Sequence, residues 1–158
     1  SNGEVGVVEL LLQKGAAVNE TDNYGFTALH GASENGHVDV VEWLLEKGAA
    51  VNQTDNYEFG WTALHYASEN GHVGVVRLLL QKGAAVNETD NYGFTALHGA
   101  SQEGYVEVVR LLLKKGAAVN QKSGGGCRGN TALHLVCYGN NQEVVKLLLQ
   151  NNADINAK

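Results

Sequence analysis

Apolar residues recur along this chain in short blocks at helical spacing, separated by polar stretches rich in Asp, Asn and Gly. Val38, Val41, Leu44 and Leu45 fall on one face of a helix predicted from about Val38 to Lys47. Lys47 complements the dipole of its last turn and Gly48 supplies the stop. The preceding block carries Ala28, Leu29 and Ala32. Thr27 opens it as an N-cap whose hydroxyl accepts from a first-turn N–H, and a glycine near Gly36 ends it. The polar run from Ala49 to Phe59 reads as turn or hairpin.

The pattern repeats. Thr-Ala-Leu-His stands at Thr27–His30, Thr62–His65, Thr95–His98 and Thr131–His134, at intervals of 35, 33 and 36 residues. Lys-Gly-Ala-Ala-Val-Asn begins at Lys14, Lys47, Lys82 and Lys115, with a degenerate copy at Asn152–Asn156. Residues 2–33 match residues 70–101 at an offset of 68, differing only at Glu4/His72 and Glu9/Arg77. The duplicated unit therefore held two repeats. Neither short helix is stable alone in water, so the Leu/Val faces must be buried between stacked copies. An all-α solenoid with protruding turns follows.

Asp-x-x-Gly-x-Thr-x-Leu-His followed by Val-Val-x-x-Leu-Leu-x-x-Gly-Ala-x-Val-Asn, in a unit of about 33 residues, resembles the ankyrin repeat. The family's proline after Thr is replaced by Ala28, Ala63, Ala96 and Ala132. Proline is favoured at a first helical position but not required, so the cost is small. The resemblance divides the chain into a partial repeat at 1–19, holding only a second helix, and full repeats at 20–52, 53–87, 88–120 and 121–156. With no methionine at position 1 or elsewhere, the chain reads as a processed or excised piece, with more repeats expected on both sides. The incomplete first repeat leaves Val7, Val8, Leu11 and Leu12 partly exposed, which predicts end-to-end self-association.

Composition narrows the function. A net charge of -6 without a basic block argues against nucleic acid. No apolar run approaches a membrane span. Cys127 and Cys137 are too few for a disulfide scaffold, which points to an intracellular, reducing compartment. Cys137 takes the place of Ser33, Ser68 and Ser101 and reads as small and buried. Cys127 lies in a glycine run that can hold no catalytic base beside it, and the run lacks the ending of a phosphate loop. The recurrent His30, His65, His98 and His134 stand a helix-packing distance apart, roughly 8–10 Å, too far to converge on zinc. The resemblance assigns each a hydrogen bond to its own Thr and to a neighbouring repeat's backbone. No catalytic residue, cofactor or metal is expected. Asn19, Asn52, Asn87 and Asn120 bond turn backbone, and the resemblance marks them as candidates for hydroxylation.

Seven of the eleven aromatic residues lie in turns: Tyr24, Phe26, Tyr57, Phe59, Trp61, Tyr92 and Phe94. Equivalent rings spaced by roughly 8–10 Å would be beyond ring contact, with Tyr-to-Phe diagonals left to close part of the gap, which favours binding over self-packing. The resemblance implies recognition by turn tips and the inner face of the first helices. That gives Thr21, Asn23, Tyr24, Phe26 and Glu34; then Thr54, Asn56, Tyr57, Phe59, Trp61, Tyr66 and Glu69; then Thr89, Asn91, Tyr92, Phe94 and Glu103; and finally Arg128 and Asn130. Glu58-Phe59 is read as an insertion in one tip, and Gly124 to Arg128 lengthens another. Gly31 and Gly99, inside first helices, make room either for an aromatic ring or for a ligand side chain. Because glutamates gather on this side, the expected partner is a protein or peptide with Lys or Arg among apolar anchors. A spacer within a longer array and an engineered scaffold are the alternatives.

Overall fold

The computed structural model describes residues 6, 15, 17–124, 129–139 and 141–157. Val7, Val8, Leu11 and Leu12, like Cys127 and Arg128, lie outside the described residues. Among the described residues eight helices form four pairs: α1 Ala28–Glu34 with α2 Val38–Glu46, α3 Ala63–Glu69 with α4 Val73–Gln81, α5 Ala96–Glu103 with α6 Val106–Lys114, and α7 Ala132–Gly139 with α8 Gln142–Gln150. First helices stack on first helices (α1, α3, α5, α7) and second on second (α2, α4, α6, α8). Among the described residues there is no strand. Isolated bridges, Thr21 to Thr27 and Thr54 to Thr62, pinch two tips at their bases.

The start of each first helix is fixed chemically. Thr27 and Thr62 accept from the backbone N–H of His30 and His65, and those histidines reach back to the threonine N–H, completing a reciprocal cap. The helices end where Asn35 and Asn70 bond carbonyls four residues back, at Gly31 and Tyr66. The core is a ladder of equivalent residues. Leu29, Leu64 and Leu97 are buried on the first helices; Leu44, Leu79, Leu112 and Leu148 are buried on the second. Each row packs both within its pair and against the neighbouring pairs, so the core is continuous along the stack.

The pairs are also stapled laterally by asparagine. Asn19 Oδ1 accepts from Ala50 N–H at 2.8 Å while its Nδ2 donates to Gly48 O at 3.3 Å. Asn52 and Asn87 repeat this toward Ala85 with Gly83, and toward Ala118 with Gly116. Asn120 does so toward Asp154 and Asn152. The bonds reach the turn of the next pair, so these residues set the spacing of the stack. In the degenerate last copy Asn152 holds a left-handed φ of 66° where earlier copies have glycine, a conformation asparagine tolerates better than most residues.

Candidate functional site

Each aromatic tip is built around one aspartate. Asp22 Oδ1 accepts from the N–H groups of Tyr24 and Phe26, at 2.8 and 3.0 Å. Asp55 Oδ1 does the same for Tyr57 and Trp61, and Asp90 Oδ1 for Tyr92 and Phe94. A short carboxylate folding the following backbone over itself is the Asx-turn device. The second oxygens hold side chains: Tyr66 OH donates to Asp55 Oδ2 at 2.6 Å, and Trp61 Nε1 donates to Asp90 Oδ2 at 3.1 Å. The sequence reading passed over these aspartates, although Thr-Asp-Asn-Tyr recurs at Thr21, Thr54 and Thr89 and was available as a signal.

Backbone hydrogen bonds run from tip to tip. Asn56 N–H donates to Tyr24 O at 2.6 Å, Asn91 N–H to Phe59 O at 2.8 Å, and Gly124 N–H to Tyr92 O. This register makes Tyr24, Phe59 and Tyr92 equivalent. Each is followed by a glycine at φ near +70°, Gly25, Gly60 and Gly93, a region that side chains disfavour. On the aspartate turn Tyr57 takes the place of Tyr24 and Tyr92, while Phe59 takes it as acceptor for the next tip, so Tyr57, Glu58 and Phe59 together fill the position that one residue holds in the shorter tips.

The same ladder corrects the expected ring spacing. Tips joined by backbone bonds are separated like neighbouring strands, by roughly 5 Å, and not like packed helices. Tyr57 stacks on Tyr24 with centroids 4.7 Å apart and planes within 11°. Phe59 lies 5.7 Å from Tyr92, and Phe26 meets Tyr66 edge-on at 5.5 Å. Trp61 contacts Phe59 at 5.5 Å and Tyr66 at 5.1 Å. The aromatic residues thus pack on one another and still present surface: Tyr24, Tyr57 and Phe59 remain 55%, 42% and 47% exposed.

Of the other expected site residues, Thr21, Asn23, Glu34, Thr54, Asn56, Thr89, Asn91 and Glu103 are exposed. Phe26, Trp61, Tyr66, Glu69, Tyr92, Phe94 and Asn130 are half-buried. Arg128 lies outside the described residues. The ladder joins the first three tips and, through Gly124 N–H on Tyr92 O, reaches the last, to which Asn130 belongs; its carbonyl accepts from Ser123 N–H and the Nε2 of His98.

The histidines are structural supports beneath the site. His30 Nδ1 accepts from Thr27 N–H at 3.0 Å, which leaves the proton on Nε2 to donate to Gln53 O at 2.8 Å. His65 and His98 make the same pair of contacts, to Phe94 O and to Gln121 O. Burial holds all three below the ordinary histidine range, against the partly opposing pull of those carbonyls. Cys137 departs from expectation: it is exposed, because no described helix stacks on that side of α7 as α3 and α5 stack on α1 and α3.

The two helix-interior glycines have different neighbours. A Cβ at Gly31 would press on the Phe26 ring at 3.3 Å, whereas one at Gly99 would collide with the Glu69 carboxylate. Beside Gly99 is a cavity of about 330 Å³ whose walls include Phe59, Trp61, Tyr92, Phe94 and Glu69. Burial, and then the negative charge of Glu103, raise the Glu69 carboxyl above the usual carboxylate range.

Against known families, the description "ankyrin repeats (3 copies)" matches residues 1–55 and 50–123, and "ankyrin repeat" matches residues 128–158. No curated protein matches the chain. Among the described residues no helix is long and apolar enough to cross a membrane.

Proposed function

Since the chain belongs to the ankyrin-repeat family, whose repeats are in general protein-interaction modules, we propose that it holds a partner protein across its aromatic tips and the inner face of its first helices. The observation that carries this is the ridge of Tyr24, Tyr57 and Phe59, pre-organised by aspartate turns and tip-to-tip bonds yet about half exposed. Rigid aromatic groups presented without further ordering are what interface hot spots are made of. The partner segment carries Lys or Arg among apolar anchors. Glu20, Glu34, Glu58, Glu69, Glu88 and Glu103 gather on the tips and inner face, while Arg77, Arg110 and Lys146 lie on second helices. Arg110 is occupied there with Glu107 and Glu143.

Peptide display against the wild-type chain and a Y24A/Y57A/F59A variant tests the reading. Sequences selected by the wild type should lose binding to the variant while its helical circular dichroism is kept. A folded variant that retains those peptides at equal affinity would place the contact surface elsewhere.

A further inference from the structure

The cavity beside Gly99 has an internal comparison in the same chain. At the junction of the first and second helix pairs, the corresponding space is filled by Tyr66. Its ring packs 5.5 Å from Phe26 and 5.1 Å from Trp61, and its hydroxyl is anchored on Asp55. One repeat later the matching residue is Gly99, and the space stands open between Trp61 and Phe59 on one side and Tyr92 and Phe94 on the other. Its size, about 330 Å³, suits a single side chain.

Among the described residues the charge of the cavity is uncompensated. The carboxylate of Glu69 lies against the Gly99 position, and among the described residues no hydrogen bond or ion pair reaches it. Asp90, in the same wall, has both oxygens committed to N–H donors and adds its negative charge without taking a cation. Among the described residues no lysine or arginine lines the space. Aromatic faces next to a half-buried carboxylate form the environment that attracts an organic cation, with indole the best of the rings.

We propose that this cavity is a cation subsite, which takes the ammonium of a Lys or the guanidinium of an Arg from the partner segment, placing the charge among the rings and opposite Glu69. This assignment rests on the interaction reading above and gives it one fixed anchor point. The raised protonation range of Glu69 fits a carboxylate whose counter-ion is supplied from outside. A planar guanidinium can stack on a ring and bond the carboxylate together, whereas an ammonium acts as a point charge. The two heads share the site and are separable by affinity.

The experiment is a nitrogen-15 NMR titration of the whole chain with N-acetyl-lysine amide, N-acetyl-arginine amide and the neutral N-acetyl-norleucine amide. The Gly99 amide and the Trp61 indole N–H should shift saturably with both cationic probes, and little with norleucine amide. Glu69→Gln keeps the shape and should weaken the cations roughly tenfold, the loss expected for a charge-assisted contact. Gly99→Tyr copies the filled first junction and should abolish the shifts while the remaining spectrum is preserved. Equal shifts from norleucine amide, an unchanged affinity in E69Q, or no saturable shift from either cation would overturn the assignment. Peptides that need Tyr24, Tyr57 and Phe59 but are indifferent to E69Q would remove the cation subsite and leave the interaction module standing.

Discussion

Ser33, Ser68 and Ser101 occupy one position of successive first helices, fully buried, and their hydroxyl oxygens have no hydrogen-bond partner among the described residues. A buried hydroxyl left unpaired is a net cost, and serine is also a weaker helix former than alanine. Ser68→Ala should therefore stabilise the chain, by about 1 kcal/mol, read as a higher urea midpoint at unchanged slope. A lower midpoint would mean the hydroxyl is bonded in solution. Tyr66 makes the opposite case. Burial and its bond to Asp55 push its phenol upward and keep it protonated, so its hydroxyl is a committed donor and not a contact waiting for a partner.

At the scale of the element, the tip is the unit, and an aspartate rather than an aromatic ring holds it. Asp90 receives two backbone N–H groups and the Trp61 indole from the preceding tip. Asp90→Ala removes three donors' acceptor at once, from a group that is itself buried. The expected loss is about 2–4 kcal/mol, together with a red-shifted Trp61 emission in a Trp43→Phe background. Emission and stability both unchanged would show that the tip is held by its ring contacts alone. Trp43 itself lies on α2, with the Lys47 ammonium 5.6 Å from its ring centroid, so it reports on the outer face and not on the tips.

At the scale of the molecule, the three buried histidines link the stack to pH. Their folded-state values are lowered by burial, so the unfolded chain binds protons first as pH falls. Stability from these groups is complete above the ordinary histidine value of about 6.5 and is lost progressively on acidification through the lowered range. Glu69 acts in the other sense, since its raised carboxyl takes up a proton before its unfolded counterpart does, but it is one group against three. The urea midpoint should fall between about pH 7.5 and about pH 5.5. His65→Gln, whose side chain does not titrate, should show a shallower fall. A flat profile in the wild type would mean that the rings protonate in place at no cost.

The sequence alone determined the architecture, because its physical causes are local and repeated. Thr27, Thr62, Thr95 and Thr131 mark where helices begin, Leu and Val at helical spacing mark which face is buried, and the period requires the stack. It also singled out the aromatic residues of the turns, since they stand out against their polar surroundings. What it could not determine was distance across the repeat. The expected ring separation followed the helices, whereas the tips follow the backbone bonds from Asn56 to Tyr24 and from Asn91 to Phe59. Only the tertiary structure fixed that register and exposed Cys137. The cavity is likewise a three-dimensional fact. Gly31 and Gly99 sit in identical local sequence, yet one accommodates the Phe26 ring of its own tip and the other the carboxylate of Glu69 from the preceding helix pair. A glycine's neighbour in space is chosen by packing between repeats, and no pattern within a repeat encodes it.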